Sequence, residues 1–236
     1  MTDLSYVDRN AARIQARIEA ACARAGTEMP TVIAAVKYTD AAHIDRLTQT
    51  VGLRDIGENR VQQLLEHWES IDRAGVRVHF IGKLQSNKVK YIIDKVALIH
   101  SLDSHSLARE LERQAAKRDL TVDVLVEINS GAEEQKSGIL PNEAEAFCLS
   151  LAQYPHVRLR GFMTMAPKCE KKEEYRKYFR ETSSLCLDIW QKKLHNIDRP
   201  ILSMGMSDSF EEAIEEGATA VRIGRAFFAP EDADEK

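Results

Sequence analysis

The chain has 236 residues, a formal charge of −4 at pH 7 and 30% charged residues, with both signs mixed along its length. That balance excludes the basic stripe of a nucleic-acid binder and the polybasic face of a membrane-surface protein. The length suits one α/β barrel and is enough to bury a sizeable core. Cys22, Cys148, Cys169 and Cys186 form no CxxC pair, and the seven histidines are scattered. A zinc site is therefore excluded, and the cysteines are expected to be free thiols in a reducing compartment. Met1-Thr2-Asp3-Leu4-Ser5 lacks the basic start and apolar segment of a signal peptide, and no apolar run reaches membrane-spanning length, so the expected location is cytoplasmic.

Leu4, Val7, Ala11, Ile14, Ile18 and Ala21 recur at helical spacing and predict an opening helix that Gly26 stops. The period then changes. Thr31–Val36 is a short apolar run, as expected of a strand buried on both faces of a parallel sheet. A helical segment from about Asp40, with Ile44 and Leu47 inward, leads to a second strand over Leu53–Gly57 and a helix from Arg60 through Ser70. Arg77–Ile81 and Ala97–His100 are the third and fourth strands, with a helix around Val89 to Ile93 between them. A helix over Leu107–Ala116 precedes the fifth strand, Val122–Ile128, and Pro141 opens the next helix. Val157–Met163 is the sixth strand. A charged helix runs from about Lys171 to Lys193, and its stretch Lys171–Lys177 reads as a solvated face with internal ion pairs. Ile201–Ser203 and Ala220–Ile223 are the seventh and eighth strands.

Eight strands alternating with helices, after one extra N-terminal helix, predict a single (β/α)₈ TIM barrel over residues 1–236. A doubly wound open sheet is the structural rival, and the lack of GxGxxG after the first strand counts against it.

In a barrel the chemistry sits at the C-terminal ends of the strands. There the sequence delivers Lys37, then Glu58 and Asn59, then His79 with Gly82 and Lys83, Ser101 and Asp103, Asn129 with a loop holding Lys136, and Met163 with Thr164. The last two strands end in Ser203-Met204-Gly205-Met206-Ser207-Asp208 and Arg222-Ile223-Gly224-Arg225. Loops after strands seven and eight are a common phosphate site. Gly205 and Gly224 allow close backbone approach, Ser207, or Ser209 with Glu212, is placed to cap the next helix, and Arg225 adds a cation. Asp208 would repel a phosphate and is expected to turn to the helix cap. A phosphate cradle beside a lysine amine is what pyridoxal phosphate (PLP) requires, and Arg222 beside Lys37 would favour the neutral, nucleophilic amine. Each residue also has a plain structural reading: Lys37 as a solvated strand end, Arg222 as an ion-pair partner, Asn59 as a helix cap, His79 as a satisfied interior histidine, and Trp68, Phe227 and Phe228 as core.

Val36-Lys37, Ile56-Gly57-Glu58-Asn59, His79-Phe80-Ile81-Gly82 with Leu84-Gln85-Ser86-Asn87-Lys88, Lys136-Ser137-Gly138-Ile139, Arg160-Gly161-Phe162-Met163, Ser203–Asp208 and Val221–Gly224 together resemble the pyridoxal phosphate homeostasis protein family, also called the YggS/PROSC family. The matches run in order over nearly the whole chain. The resemblance implies a barrel similar to that of alanine racemase, fold type III of the PLP proteins, without the β-domain. It implies a Schiff base on Lys37, with Arg222 facing the pyridine nitrogen. Ser203, Ser207, Gly224 and Arg225 would lie around the phosphate, and Asn59 and Met204 along the ring. It further implies a non-catalytic carrier in PLP homeostasis, with PLP-dependent apoenzymes as recipients. A monomer is expected because no exposed apolar stripe stands out. The alternative is a monomeric amino-acid racemase using His79 or Lys136 as base. Two positions depart from the family pattern: Arg225 stands where Thr or Ser is common, and Lys83 where Pro is frequent. Lys136 is expected to receive the aldehyde transiently during transfer.

Overall fold

Eight parallel strands close on themselves in the order β1 to β8, which excludes the open sheet. They are β1 Thr31–Ala35, β2 Asp55–Glu58, β3 Arg77–Phe80, β4 Leu98–Leu102, β5 Val122–Ile128, β6 Val157–Thr164, β7 Ile201–Ser203 and β8 Ala220–Ile223. The helices are α1 Ser5–Ala25, α2 Ala41–Asp45, α3 Val61–Ser70, α4 Val89–Ile92, α5 His105–Ala116, α6 Ala144–Ser150, α7 Lys172–Gln191, α8 Phe210–Glu215 and α9 Arg225–Phe228. The structure, a computed structural model, describes residues 3–37, 39–133, 135–192 and 199–230. Lys193, the expected end of α7, lies outside them. No helix among the described residues is long and apolar enough to cross a membrane.

The barrel closes where β1 meets β8, with Ile33 opposite Arg222. Strand alternation sorts the side chains into two shells. Ala34, Ile56, Val78, Phe80, Ile99, Val124, Val126, Phe162, Leu202, Val221 and Ile223 face the helices in one large core. Leu98, Leu125 and Met163, with Ile201, form a separate small cluster inside the barrel. The other interior positions are unusually polar: Asp55, His79, His100, Glu127, Ser203 and Arg222 are all buried.

Gly161 sets how closely β6 approaches β7. Its φ is +147°, and a Cβ there would lie 2.0 Å from the Ile201 carbonyl oxygen, so no larger residue fits. Gly26 at φ 65° ends α1 in the left-handed cap that its position predicts.

The charged face of α7 is not a set of internal pairs. Arg176 bonds Glu215, Arg180 bonds Glu216 at 2.8 Å, and Lys172 lies 3.6 Å from Glu211; Glu211 and Glu215 are on α8 and Glu216 ends it. From the other side, α1 reaches the same helix through Arg17 to Glu211 at 3.1 Å and Arg24 to Glu215 at 2.7 Å. Six residues make too short a helix to be stable alone, and Glu211, Glu215 and Glu216 tie α8 between two long neighbours. All four cysteines are free, and Cys22, Cys148 and Cys186 are buried.

Candidate functional site

Lys37 lies two residues past the end of β1, at the C-terminal mouth of the barrel. The Val36 amide donates to the Gly57 carbonyl at 3.0 Å, which extends the sheet to its threshold. Beyond it, Asp40 caps α2 by accepting from the His43 amide at 3.0 Å. Between these, His67 of α3 holds the segment. Its Nδ1 lies 2.6 Å from Glu58 Oε1 and its Nε2 lies 3.0 Å from the Thr39 carbonyl oxygen. Both ring nitrogens face acceptors, which favours the doubly protonated ring. The bond to Glu58 raises the His67 pKa, against the opposing effect of burial. The strand end, α3 and the lysine-bearing turn are thereby joined by one buried ion pair.

Above them lies a cavity of about 530 Å³. Lys37, Asn59, Ser207, Arg222, Gly224 and Arg225 come together on its wall, with Ile81, Met165, Met206 and Phe228 as apolar faces. Arg222 enters from β8. It donates through Nη1 to Ser203 Oγ at 2.6 Å and through Nη2 to the Thr164 carbonyl at 2.9 Å. Burial lowers its pKa to about 10, and the charge of Glu127 opposes that, so the guanidinium remains a cation at neutral pH.

The loops after β7 and β8 are joined to each other: the Gly224 amide donates to Ser207 Oγ at 3.3 Å. A Cβ on Gly224 would lie 3.0 Å from the Ala35 carbonyl oxygen, so the loop lies close against the end of β1. Gly205 takes φ +89°, where a Cβ would meet Ala213 Cβ at 2.5 Å. Asp208 does not turn to the helix cap. It accepts two bonds from Arg225 Nη2, at 2.7 and 2.8 Å. Ser209 stands at the cap position without capping, and its Oγ accepts instead from the Met206 amide at 3.3 Å.

Ser203 and Met204 do not lie on the cavity wall. Ser203 points into the barrel beneath Arg222, bonded also to His100. Met204, one residue on, faces outward into the core under the helices, and Met206 takes the place at the cavity. His79 is the satisfied interior histidine its residue type suggests, held by Asp55 and His100. Phe227 is core, whereas Phe228 lines the cavity. Lys136 pairs with Glu133 at 2.6 Å.

Sequence reasoning missed Glu127. It sits near the top of β5, in a side cavity of about 300 Å³ shared with Lys37, Asn59 and Lys83. Burial, with Asp103 adding to it, raises its pKa to about 7. The signal was available: in Val122–Ile128 the odd positions Asp123, Leu125 and Glu127 alternate with valines, which places the glutamate on the inner face.

The donor set fits a flat ring with an aldehyde and an anionic tail. An amine, a guanidinium and a hydroxyl-and-cation pair line one cavity of about 530 Å³ that also has apolar faces. Asn59 Oδ1, at the same wall, is buried with no hydrogen-bond partner, and an O–H or N–H on the bound molecule would satisfy it.

The family model described as alanine racemase, N-terminal domain, matches residues 3–231. A pyridoxal phosphate homeostasis protein of Aquifex aeolicus (strain VF5) is 42% identical over 217 residues, covering 92% of this chain and 94% of that protein. Another of the same description, from Escherichia coli (strain K12), is 33% identical and covers 100% of both chains. Among solved structures, PipY of Synechococcus elongatus PCC7942, with PLP bound, superposes at a TM-score of 0.80 with 28% identity, covering 94% of this chain and 99% of that one.

Proposed function

The chain belongs to the alanine racemase N-terminal domain family and, within it, to the pyridoxal phosphate homeostasis proteins, and from that premise we propose that it binds PLP in the barrel mouth and holds it for use elsewhere. The observation that carries the reading is the convergence of Lys37, Arg222 and the Ser207–Arg225 wall on one cavity of about 530 Å³. When bound, the cofactor supplies an aldehyde that an amine can capture reversibly. Lys37 offers that amine. Ser207, Gly224 and Arg225 face the phosphate, Asn59 lies beside the ring, and Ser203 serves the ring end indirectly, through Arg222.

Storage rather than turnover follows from the charge at that end. Arg222 is a cation without an acceptor atom. Placed opposite a pyridine nitrogen it disfavours protonation there, and an unprotonated ring withdraws electrons poorly from a bound amino acid. Neither residue suggested as a racemase base is on the cavity wall: His79 is occupied inside the barrel, and Lys136 is paired with Glu133. One domain, PLP-dependent apoenzymes as recipients and a monomeric state complete the proposal.

Titration of the purified protein with PLP, followed by absorption, tests binding. A saturable band that Lys37→Ala abolishes is expected, and a chain that stays colourless in excess cofactor contradicts the reading. Incubation with single-enantiomer amino acids is expected to leave optical purity unchanged. Loss of purity that depends on Lys37 would favour the racemase.

A further inference from the structure

A row of polar side chains crosses the inside of the barrel, below the cavity, and of its members only Arg222 reaches the cavity wall. Its members come from β8, β7, β4, β3 and β2 in turn: Arg222, Ser203, His100, His79 and Asp55. The links are Arg222 Nη1 to Ser203 Oγ at 2.6 Å, Ser203 Oγ to His100 Nδ1 at 3.0 Å, His100 Nε2 to His79 Nδ1 at 3.0 Å, and His79 Nε2 to Asp55 Oδ1 at 2.8 Å. All five side chains are buried.

Residue chemistry fixes the first donor and allows one consistent direction along the row. A guanidinium only donates, so Ser203 Oγ accepts from Arg222. The serine keeps its one proton for its other bonded partner among the described residues, His100 Nδ1, and we assign that nitrogen as the acceptor. His100 is completely buried. Burial, with His79 and Arg222 nearby, pushes its pKa well below the ordinary value, so the ring is neutral and its one proton is on Nε2. That proton goes to His79 Nδ1, which leaves His79 to donate from Nε2 to Asp55. Burial works against the Asp55 charge, but bonds from His79 and from Arg77, whose Nε is 2.8 Å away, hold its pKa below the usual range. The chain thus ends on a carboxylate, beside a groove of about 690 Å³ on the α1 side of the barrel. Within the row each link then pairs one donor with one acceptor. The reverse direction would need a second proton on His79, with His100 donating toward a serine already facing a cation.

We propose that Asp55, His79, His100 and Ser203 form a one-way hydrogen-bond relay that positions Arg222, turning the serine lone pair toward the guanidinium so that its remaining N–H groups are aimed into the cavity. His100 and His79 are positioning residues and do not touch the cofactor. The relay rests on the PLP-binding reading for its purpose, but its geometry belongs to the protein alone. It makes the ring end of the site depend on a carboxylate outside the cavity.

The test has two arms. In the first, ¹⁵N–¹H spectra of the full chain without cofactor report the histidine tautomers at neutral pH. Both His79 and His100 are expected as neutral Nε2–H rings. An Nδ1–H or doubly protonated His100 overturns the relay, whether or not PLP binds. In the second, His100→Phe keeps the bulk but removes the acceptor. PLP affinity is expected to fall about tenfold, the loss of one charged hydrogen-bond arrangement, and the absorption maximum of the bound cofactor to shift. A folded His100→Phe protein with wild-type affinity and maximum overturns the proposal. Should that variant fail to fold, Asp55→Asn is judged by the same two readouts, with an expected loss of roughly threefold. If the wild-type chain takes up no PLP, the reading of the site fails, and the tautomers then decide the relay.

Discussion

His67 shows how much one side chain can fix. With acceptors on both ring nitrogens, it ties α3 to the end of β2 and to the turn after Lys37. Removing it leaves Glu58 buried without a partner, and His67→Ala is expected to cost about 3 kcal/mol in urea unfolding. The pH dependence has a definite sign. A folded pKa above the ordinary 6.5 means the stabilisation is fully present below that value and is lost as pH rises through the folded one. Unfolding curves at a series of pH values are expected to show that loss in the wild type and a flatter profile in His67→Ala. Arg225 and Asp208 set up a different competition. Both side chains are exposed, so the pair is worth little to stability, yet the carboxylate occupies the cation nearest the proposed phosphate position. Asp208→Asn is therefore expected to tighten PLP binding roughly threefold at low salt, with the gain shrinking as salt is raised. Equal or weaker binding would mean that Arg225 does not face the phosphate.

Among the elements, the β6–β7 contact at Gly161 is the least tolerant. A methyl group there would overlap the Ile201 carbonyl in a backbone conformation that L side chains avoid. Gly161→Ala is expected to lose on the order of 3 kcal/mol or more, read as a lower Tm, and wild-type stability would show that the strands can part without cost. Strand identity was legible for a simple reason: runs such as Val122–Ile128, Ile201–Ser203 and Ala220–Ile223 are rich in Val, Ile and Leu, and their ends match the structure. β4 reaches Leu102, beyond the expected end at His100, because Ser101 continues the strand in spite of its polarity. Facing direction was harder to read than strand position. Ser203, Met204 and Met206 differ by one or two residues, and a single step along an extended chain reverses the side to which a residue points. The same parity, read for polar residues, would have identified Glu127 and the His79–His100 row.

At the scale of the molecule, the barrel brings together groups that are far apart in the chain. Lys37 and Arg222 are separated by most of the sequence, but Lys37 lies just past the end of β1 and Arg222 is on β8, and the two strands are paired. That closure is what makes one cavity out of an early lysine and two late loops, and it is why the order of motifs, more than any single one, made the site legible. The contacts that define the cavity's chemistry, such as the Asp208–Arg225 pair and the relay beneath Arg222, depend on side-chain directions that no spacing rule supplies. The central claim is that Lys37 is the amine that holds PLP. Borohydride reduction of the PLP-loaded protein, followed by peptide mapping, tests it most directly. The pyridoxyl mass is predicted on the peptide carrying Lys37 and absent after Lys37→Ala; a label confined to Lys136, Lys83 or any other lysine, or no label at all, would contradict the account.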